Sequence, residues 1–333
     1  MQWSADISAG DWMRERIDQP WRGTMHDVVP RGFEAYARVF HPASRDRPVG
    51  RPWPGLPYAA HRRAWDDFQA DSPQIDDESV TWATTAAAMG TTMHPRAQWH
   101  RLVAPGVVVE NEDGPRDAAG WRYNQPLTGD APAGLVCSLA AVLVRHTTTP
   151  DAGFAAVWEG FGGLLGHVGV GPSRGFYQIT EDGAGADPTL ARHNSMLGSA
   201  TRDVFNRVFR RPTWQEGILS REISEAPRLQ LPDRGFVLFH AGVAEFADPD
   251  WALAAPWRDL EAERHGFAPD AHAPGILWPE DRSWVSVTEV DFDSTIVGGT
   301  RALIDDLVAD ERLEALALDA DADLTWDGDE VNR

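Results

Sequence analysis

The chain predicts an α+β fold, with a largely antiparallel mixed sheet flanked by helices. Helical and strand-like periodicities are interspersed without strict alternation, which disfavours a doubly wound parallel sheet. A hydrophobic content of 42% and 15 tryptophans among 333 residues are enough to fill a substantial core. No internal repeat and no long flexible linker interrupts the pattern, so 1–333 is expected to form a single globular unit. Irregular segments are expected at 42–57, 104–134 and 181–198.

The elements follow in order. Residues 10–18 suggest a short helix. In Gly32–His41, Phe33, Ala35, Ala37 and Val39 alternate with Glu34, Tyr36 and Arg38, the period of a half-buried strand. Five prolines between 42 and 57 mark a loop. Ser79–Met89 predicts a helix with Ser79 as N-cap and Gly90 as stop, and His94–Leu102 a second short one. Asp130 and Pro132 open a helix to about Arg145, along which Leu135, Val136, Leu139, Val142 and Leu143 recur at helical spacing. Strands are predicted at 154–159, 175–180, 227–231 and 235–240, and an amphipathic helix at 199–211 before Pro212. A helix-like piece follows 240. A strand at 284–292 leads to a helix at about 300–309, and Leu313–Leu318 predicts the last strand.

Composition excludes several chemistries. The formal net charge is -21, so a phosphate backbone is a poor partner and nucleic-acid binding is not expected. The chain has no lysine, and all 30 of its basic side chains are arginine. Schiff-base catalysis, pyridoxal phosphate attachment, P-loop and kinase lysines and Ser-Lys hydrolysis all need the missing amine. Cys137 is the only cysteine, so no intrachain disulfide or multi-cysteine metal site can form. No run of about 18 apolar residues predicts a membrane span. With no leader-like pattern at 1–12, a cytoplasmic location is expected.

Several familiar patterns weaken on context. Gly171–Gly175 matches G-x-S-x-G around Ser173, but the residues that follow read as a strand, where a nucleophile elbow needs a helix. The glycines from 160 to 171 never give G-x-G-x-x-G; a tight loop based on Trp158 and Glu159 is the simpler reading. Asp319, Asp321, Asp323, Asp327 and Glu330 occupy positions 1, 3, 5, 9 and 12 of a calcium-loop pattern, but Leu324 replaces its glycine, and an acidic solvated segment is favoured. His94 and His100, six residues apart, do not share a helix face. Arg202, Arg207, Arg210 and Arg211 are expected to complement a helix dipole.

The segment Trp278–Gly299 concentrates the candidate site residues. On one strand running through 284–293, Val285, Val287, Glu289, Asp291 and Asp293 would fall on one face. Three carboxylates in a row repel one another unless a cation, an arginine or a proton offsets them. Glu289, Asp291 and Asp293 are therefore candidate ligands for Mg²⁺, Mn²⁺ or Ca²⁺, or candidate acid and base groups. The bland reading pairs them with Arg282, Arg301 or another arginine. Trp278 and Trp284 flank the polar turn that contains Arg282 and are candidate stacking faces.

The segments Arg31–Pro42, Arg145–Pro150, Val157–Gly162 and Trp278–Trp284, together with Thr288–Gly299, resemble a family of uncharacterised actinobacterial proteins. The blocks keep their order over most of the chain. The resemblance implies a cytoplasmic bacterial protein built as one unit, and it carries over no activity.

Two functional readings follow. The first is a soluble, non-catalytic binding or regulatory protein with an aromatic and acidic site for a small molecule or a protein, drawn from Trp278, Arg282, Trp284, Glu289, Asp291 and Asp293. The second is a divalent-metal or carboxylate-dependent hydrolase using the three acids. The first is favoured, because the standard nucleophile, cofactor and metal signatures fail on spacing or context.

Overall fold

A computed structural model describes residues 1–19, 21–104, 114–175, 211–232 and 234–333. Helices and antiparallel sheets make an α+β fold, as the periodicities predict. All but Gly175 of the predicted strand at 175–180, most of the predicted helix at 199–211 and the segment 181–198 lie outside the described residues. Contacts divide the chain into two compact units, each assembled from two stretches: 1–15 with 136–285, and 16–135 with 286–333.

In the first unit the strands Gln2–Trp3, Arg234–His240, Gly153–Trp158 and Ile276–Pro279 lie side by side, all antiparallel, and Leu229–Leu231 pairs with Arg234–His240. Strand side chains alternate between faces, so the register decides which ones meet. His240, Phe154 and Trp278 are cross-strand partners and form a row on one face, where Phe154 stacks on Trp278 at 5.3 Å. Trp12 of the short helix Asp11–Arg14 meets Trp278 edge-on at 6.5 Å. The opposite face carries Phe239, which packs on the buried Trp257.

The first unit also brings together the blocks Arg145–Pro150 and Trp278–Trp284. Asp281 Oδ2 accepts from the Thr147 hydroxyl and from both the amide and the hydroxyl of Thr148. The Asp281 amide donates to Thr149 Oγ1, and Ser283 Oγ donates to the His146 carbonyl. Burial opposes the charge on Asp281, but the hydrogen bonds from Thr148 and Ser283 outweigh it and hold the carboxyl well below its usual range.

In the second unit Ala35–Phe40 pairs antiparallel with both Ser294–Gly299 and Ala315–Leu318. Helix Arg301–Ala309 buries Leu303, Ile304 and Leu307 against this sheet, each side chain stabilising by about 1.5–3 kcal/mol relative to exposure. Thr300 caps it by accepting from the Leu303 amide. A second sheet is built from Ile75–Val80, Ala43–Pro48 and Arg122–Asn124.

Several elements differ from expectation. The expected loop at 42–57 contains the strand Ala43–Pro48. Helix Tyr58–Ala70 has no counterpart in the sequence reading; its buried residues Trp65 and Phe68 pack on Trp53. Ser79 belongs to a strand, not a cap; the helix is Trp82–Met89, and Thr81 Oγ1 accepts from the Thr84 amide. Gly90 ends it in the left-handed region, as expected.

Most consequential is the segment 284–293, which is not one strand. Val285–Thr288 and Ser294–Gly299 are separate strands, and Glu289–Asp293 turn between them. Gly129 supports this turn at φ +76: its amide donates to the Phe292 carbonyl, and a Cβ there would come within 2.3 Å of the Val290 carbonyl oxygen.

Gly129→Ala should therefore cost more than the ~1–2 kcal/mol of a left-handed L-residue alone. Urea denaturation of the variant against the wild type measures it; a loss below that range would mean that the turn yields.

Candidate functional site

The predicted acids do not form one carboxylate face. Asp293 is held by Arg38, whose Nη2 lies 3.0 Å from Asp293 Oδ1. Arg38 is 2% exposed and is bonded at every nitrogen. Its Nε donates to Ser294 Oγ at 2.8 Å, and its Nη1 donates to the carbonyls of Ala97 at 2.7 Å and Pro95 at 3.3 Å. The guanidinium also lies over the rings of Phe40 and Trp82, 4.6 and 5.4 Å from their centroids. Glu289 is buried, and its Oε2 accepts from the Asp291 amide, which pins the turn to itself. Asp291 is exposed.

The aromatic candidates are core residues. Trp278 and Trp284 are 1% and 0% exposed, so neither ring can stack on a ligand. Their indole N–H groups have no hydrogen-bond partner among the described residues. Arg282 is exposed, adopts φ +54 and lies 5.7 Å from the Trp12 ring. Of the predicted site residues, Arg282 and Asp291 reach the surface, and the turn Glu289–Asp293 is a brace around Arg38.

Beside this brace lies a buried polar chain. His41 Nδ1 is 2.9 Å from the Leu127 carbonyl, and Nε2 is 3.0 Å from Thr295 Oγ1, which is 2.8 Å from Thr288 Oγ1. A carbonyl only accepts, so Nδ1 carries the proton. Neutral His41 then accepts at Nε2 from Thr295, whose oxygen accepts from Thr288. Burial holds the His41 pKa below its ordinary value, although Asp293 and Asp130 oppose that shift and Arg38 adds to it. All three side chains are buried, which makes them structural parts of the same core.

The other motifs resolve into local contacts. Ser173 Oγ donates to the Glu216 carbonyl beside the hairpin His167–Gly169 and Thr213–Gln215. Glu159 pairs with the buried Arg228, 3.3 Å away, and Trp158 packs edge-on against Phe161. Cys137 is half-buried and lies 3.3 Å from the Ala247 carbonyl. Arg202, Arg207 and Arg210 lie outside the described residues.

The acidic segment 319–333 is more informative than its calcium-loop spacing. Its acids take separate partners: Asp321 takes Arg31, Asp323 the Thr325 amide, Asp327 Arg101, and Glu330 Arg333. Asp329, which the spacing did not single out, is 0% exposed and anchors the segment. It accepts from His94 Nε2 at 2.8 Å, from the amides of Gln98, Val331 and Asn332, and from Asn332 Nδ2. Burial opposes its charge, but these bonds, led by those of Asn332, hold its pKa below the usual range. Asn332 in turn bonds both the amide and the carbonyl of Thr92.

That anchoring presents Trp326 to solvent. Its ring lies flat on His100, with centroids 3.6 Å apart and planes 4° from parallel, yet it is 68% exposed. One face is held by His100 of the helix Trp99–Val103, and much of the rest is open. Trp21, 53% exposed, lies on a loop that meets this segment: the Met25 amide donates to the Ala322 carbonyl, and Gly23 faces Thr325. Asp323, Asp327 and Glu330 flank Trp326 in sequence, and the Asp327 carboxylate is largely exposed. The exposed Trp326 and the acids beside it in sequence belong to a different segment from the one singled out in the sequence analysis. The available signal was the pairing of Trp326 with neighbouring acids in a segment whose Asp329 could bury.

No family model, curated protein or solved structure matches the chain.

Arg38→Met should destabilise the fold by about 3–5 kcal/mol, because Asp293 and two carbonyls lose a buried donor. Trp326→Ala should cost about 0.5–1.5 kcal/mol, the worth of its stacking on His100. Denaturant midpoints read both; equal losses would contradict the division into brace and surface. The pH dependence has a definite sign. His41, His26 and His100 are all held below the ordinary histidine pKa, primarily by burial. Unfolding lets them take up protons, so their contribution is complete above about pH 6.5 and declines as the pH falls below it. The depressed carboxyls of Asp281 and Asp329 add a second loss below about pH 4. Urea midpoints from pH 8 to pH 3 test this; a flat profile between pH 7 and pH 5 would contradict it.

Proposed function

We propose that this protein is a non-catalytic binding protein that engages its partner through the surface around Trp326 and Trp21. One observation carries the reading: an exposed indole is held rigid from behind by His100 on a segment anchored through Asp329. A preorganised aromatic face loses little conformational entropy on binding, which is why tryptophan dominates many recognition surfaces. The carboxylates that a hydrolase would use are committed elsewhere, Asp293 to Arg38 and Glu289 to the Asp291 amide. No described helix is long and apolar enough to cross a membrane. A cytoplasmic setting is part of the same proposal, supported by a chain with one thiol and no possible internal disulfide.

The test is retention on two immobilised panels, one of peptides and one of oligosaccharides. Wild-type protein should be retained by a defined subset of probes, and Trp326→Ala should lose that subset while remaining folded. Retention of the variant on the same probes, or no retention of the wild type on either panel, would sink the proposal.

A further inference from the structure

We propose that the group received by the Trp326 surface is an arginine side chain on a basic segment of a partner protein. The inference rests on the binding reading above and names its chemistry. Three observations carry it.

The first is geometric. His100 covers one face of the Trp326 indole, so a planar group arriving from solvent meets the other. A guanidinium is planar, weakly hydrated and well matched to a tryptophan face.

The second is electrostatic. The chain carries a net charge of -21, and Trp326 is flanked in sequence by Asp323, Asp327 and Glu330. An anionic ligand would be repelled by this field, whereas a cation is drawn in, and a guanidinium could donate to the largely exposed Asp327 carboxylate. Within the chain this carboxylate takes Arg101 at 3.1 Å through Oδ1, and its side chain remains largely exposed.

The third is the habit of the chain itself. Arg45 and Arg47 lie over Trp121 at 4.6 and 4.4 Å, Arg122 over Trp53 at 4.0 Å, and Arg221 over Trp214 at 4.8 Å. Among the described residues no arginine lies over Trp326 or Trp21. The two most exposed tryptophans thus lack the contact that several others receive from within the chain.

The experiment titrates the full chain with a short peptide of alternating arginine and glycine, followed by fluorescence anisotropy of a label on the peptide. Two parallel arms use the same peptide with citrulline in place of arginine, which keeps the shape and removes the charge, and a neutral labelled maltooligosaccharide. The arginine peptide should bind, and citrulline should weaken it by about twofold to fivefold, the span of a cation–π contact at an exposed site. Trp326→Ala should weaken arginine-peptide binding by a similar factor, and raising salt should weaken the wild type. Equal affinity for the citrulline peptide overturns the cation. So does binding of the oligosaccharide alone, provided Trp326→Ala abolishes it, and that result leaves the binding reading standing. If the arginine peptide binds equally well to Trp326→Ala, the proposed location is wrong. No binding in any arm overturns the cation, and failure on both immobilised panels as well overturns the binding reading with it.

Discussion

Arg38 is a full positive charge placed where water cannot reach it, and the second unit is organised around satisfying it. Moving such an ion out of water is unfavourable by several kcal/mol even after relaxation. The compensation comes from four places in the sequence: Asp293 and Ser294 at the end of one turn, the carbonyls of Pro95 and Ala97, and the ring faces of Phe40 and Trp82. Each segment must be in place for the others to be worth having. The guanidinium therefore acts as a gauge of assembly, fixing the strand Ala35–Phe40 against the turn Glu289–Asp293 and the stretch 95–97. The His41–Thr295–Thr288 chain extends the same logic one strand position further, with hydroxyl directions set by a single carbonyl at Leu127.

Asp329 is the counterpart of Arg38 with the opposite sign. It is buried and satisfied by amides, a histidine and an asparagine, with no arginine among its bonds to described residues. A carboxylate supplied with this many donors stays charged despite burial. Its effect is directional: it turns an acidic segment that would otherwise be solvated into a fixed support. Glu314 plays a smaller part in the same unit, accepting from the amides of Trp82 and Ala83 at the start of a helix. Burial raises its pKa and the two amides pull it back. Trp326 lies within this anchored segment: its ring stacks on His100, and Asp329 is hydrogen-bonded three residues further on.

Legibility in the sequence varied with the range of the interaction that decides each feature. Gly90 marked a helix end, because only a residue tolerant of positive φ can turn the chain there. The helix after Gly299 and the strand Ala35–Phe40 were legible from periodicity. The helix Tyr58–Ala70 has no counterpart in the sequence reading, although Trp65 and Phe68 are buried on one side of it. The strand Ala35–Phe40 reads as half-buried from its alternation, yet Tyr36 and Arg38, on the more polar side, are buried as well. Alternation reports which residues share a face, but what covers the polar one depends on the rest of the fold. The carboxylates at 289–293 failed for a related reason. Period-two spacing holds only while the strand continues, and Gly129 with the Phe292 carbonyl helps to shape the turn that replaces it.

The sequence by itself determined the fold class, the exclusion of lysine chemistry and internal disulfides, and the acidic field. Those follow from composition and local pattern, which no tertiary contact can alter. Tertiary structure decided which partner offsets Asp293, whether Trp278 and Trp284 face ligand or core, and that Trp326 is the indole left on the surface. These depend on residues far apart in the chain, with Arg38 and Asp293 separated by 255 positions and His94 and Asp329 by 235. Burial is a property of what packs over a side chain, and that is settled only when the distant segments meet.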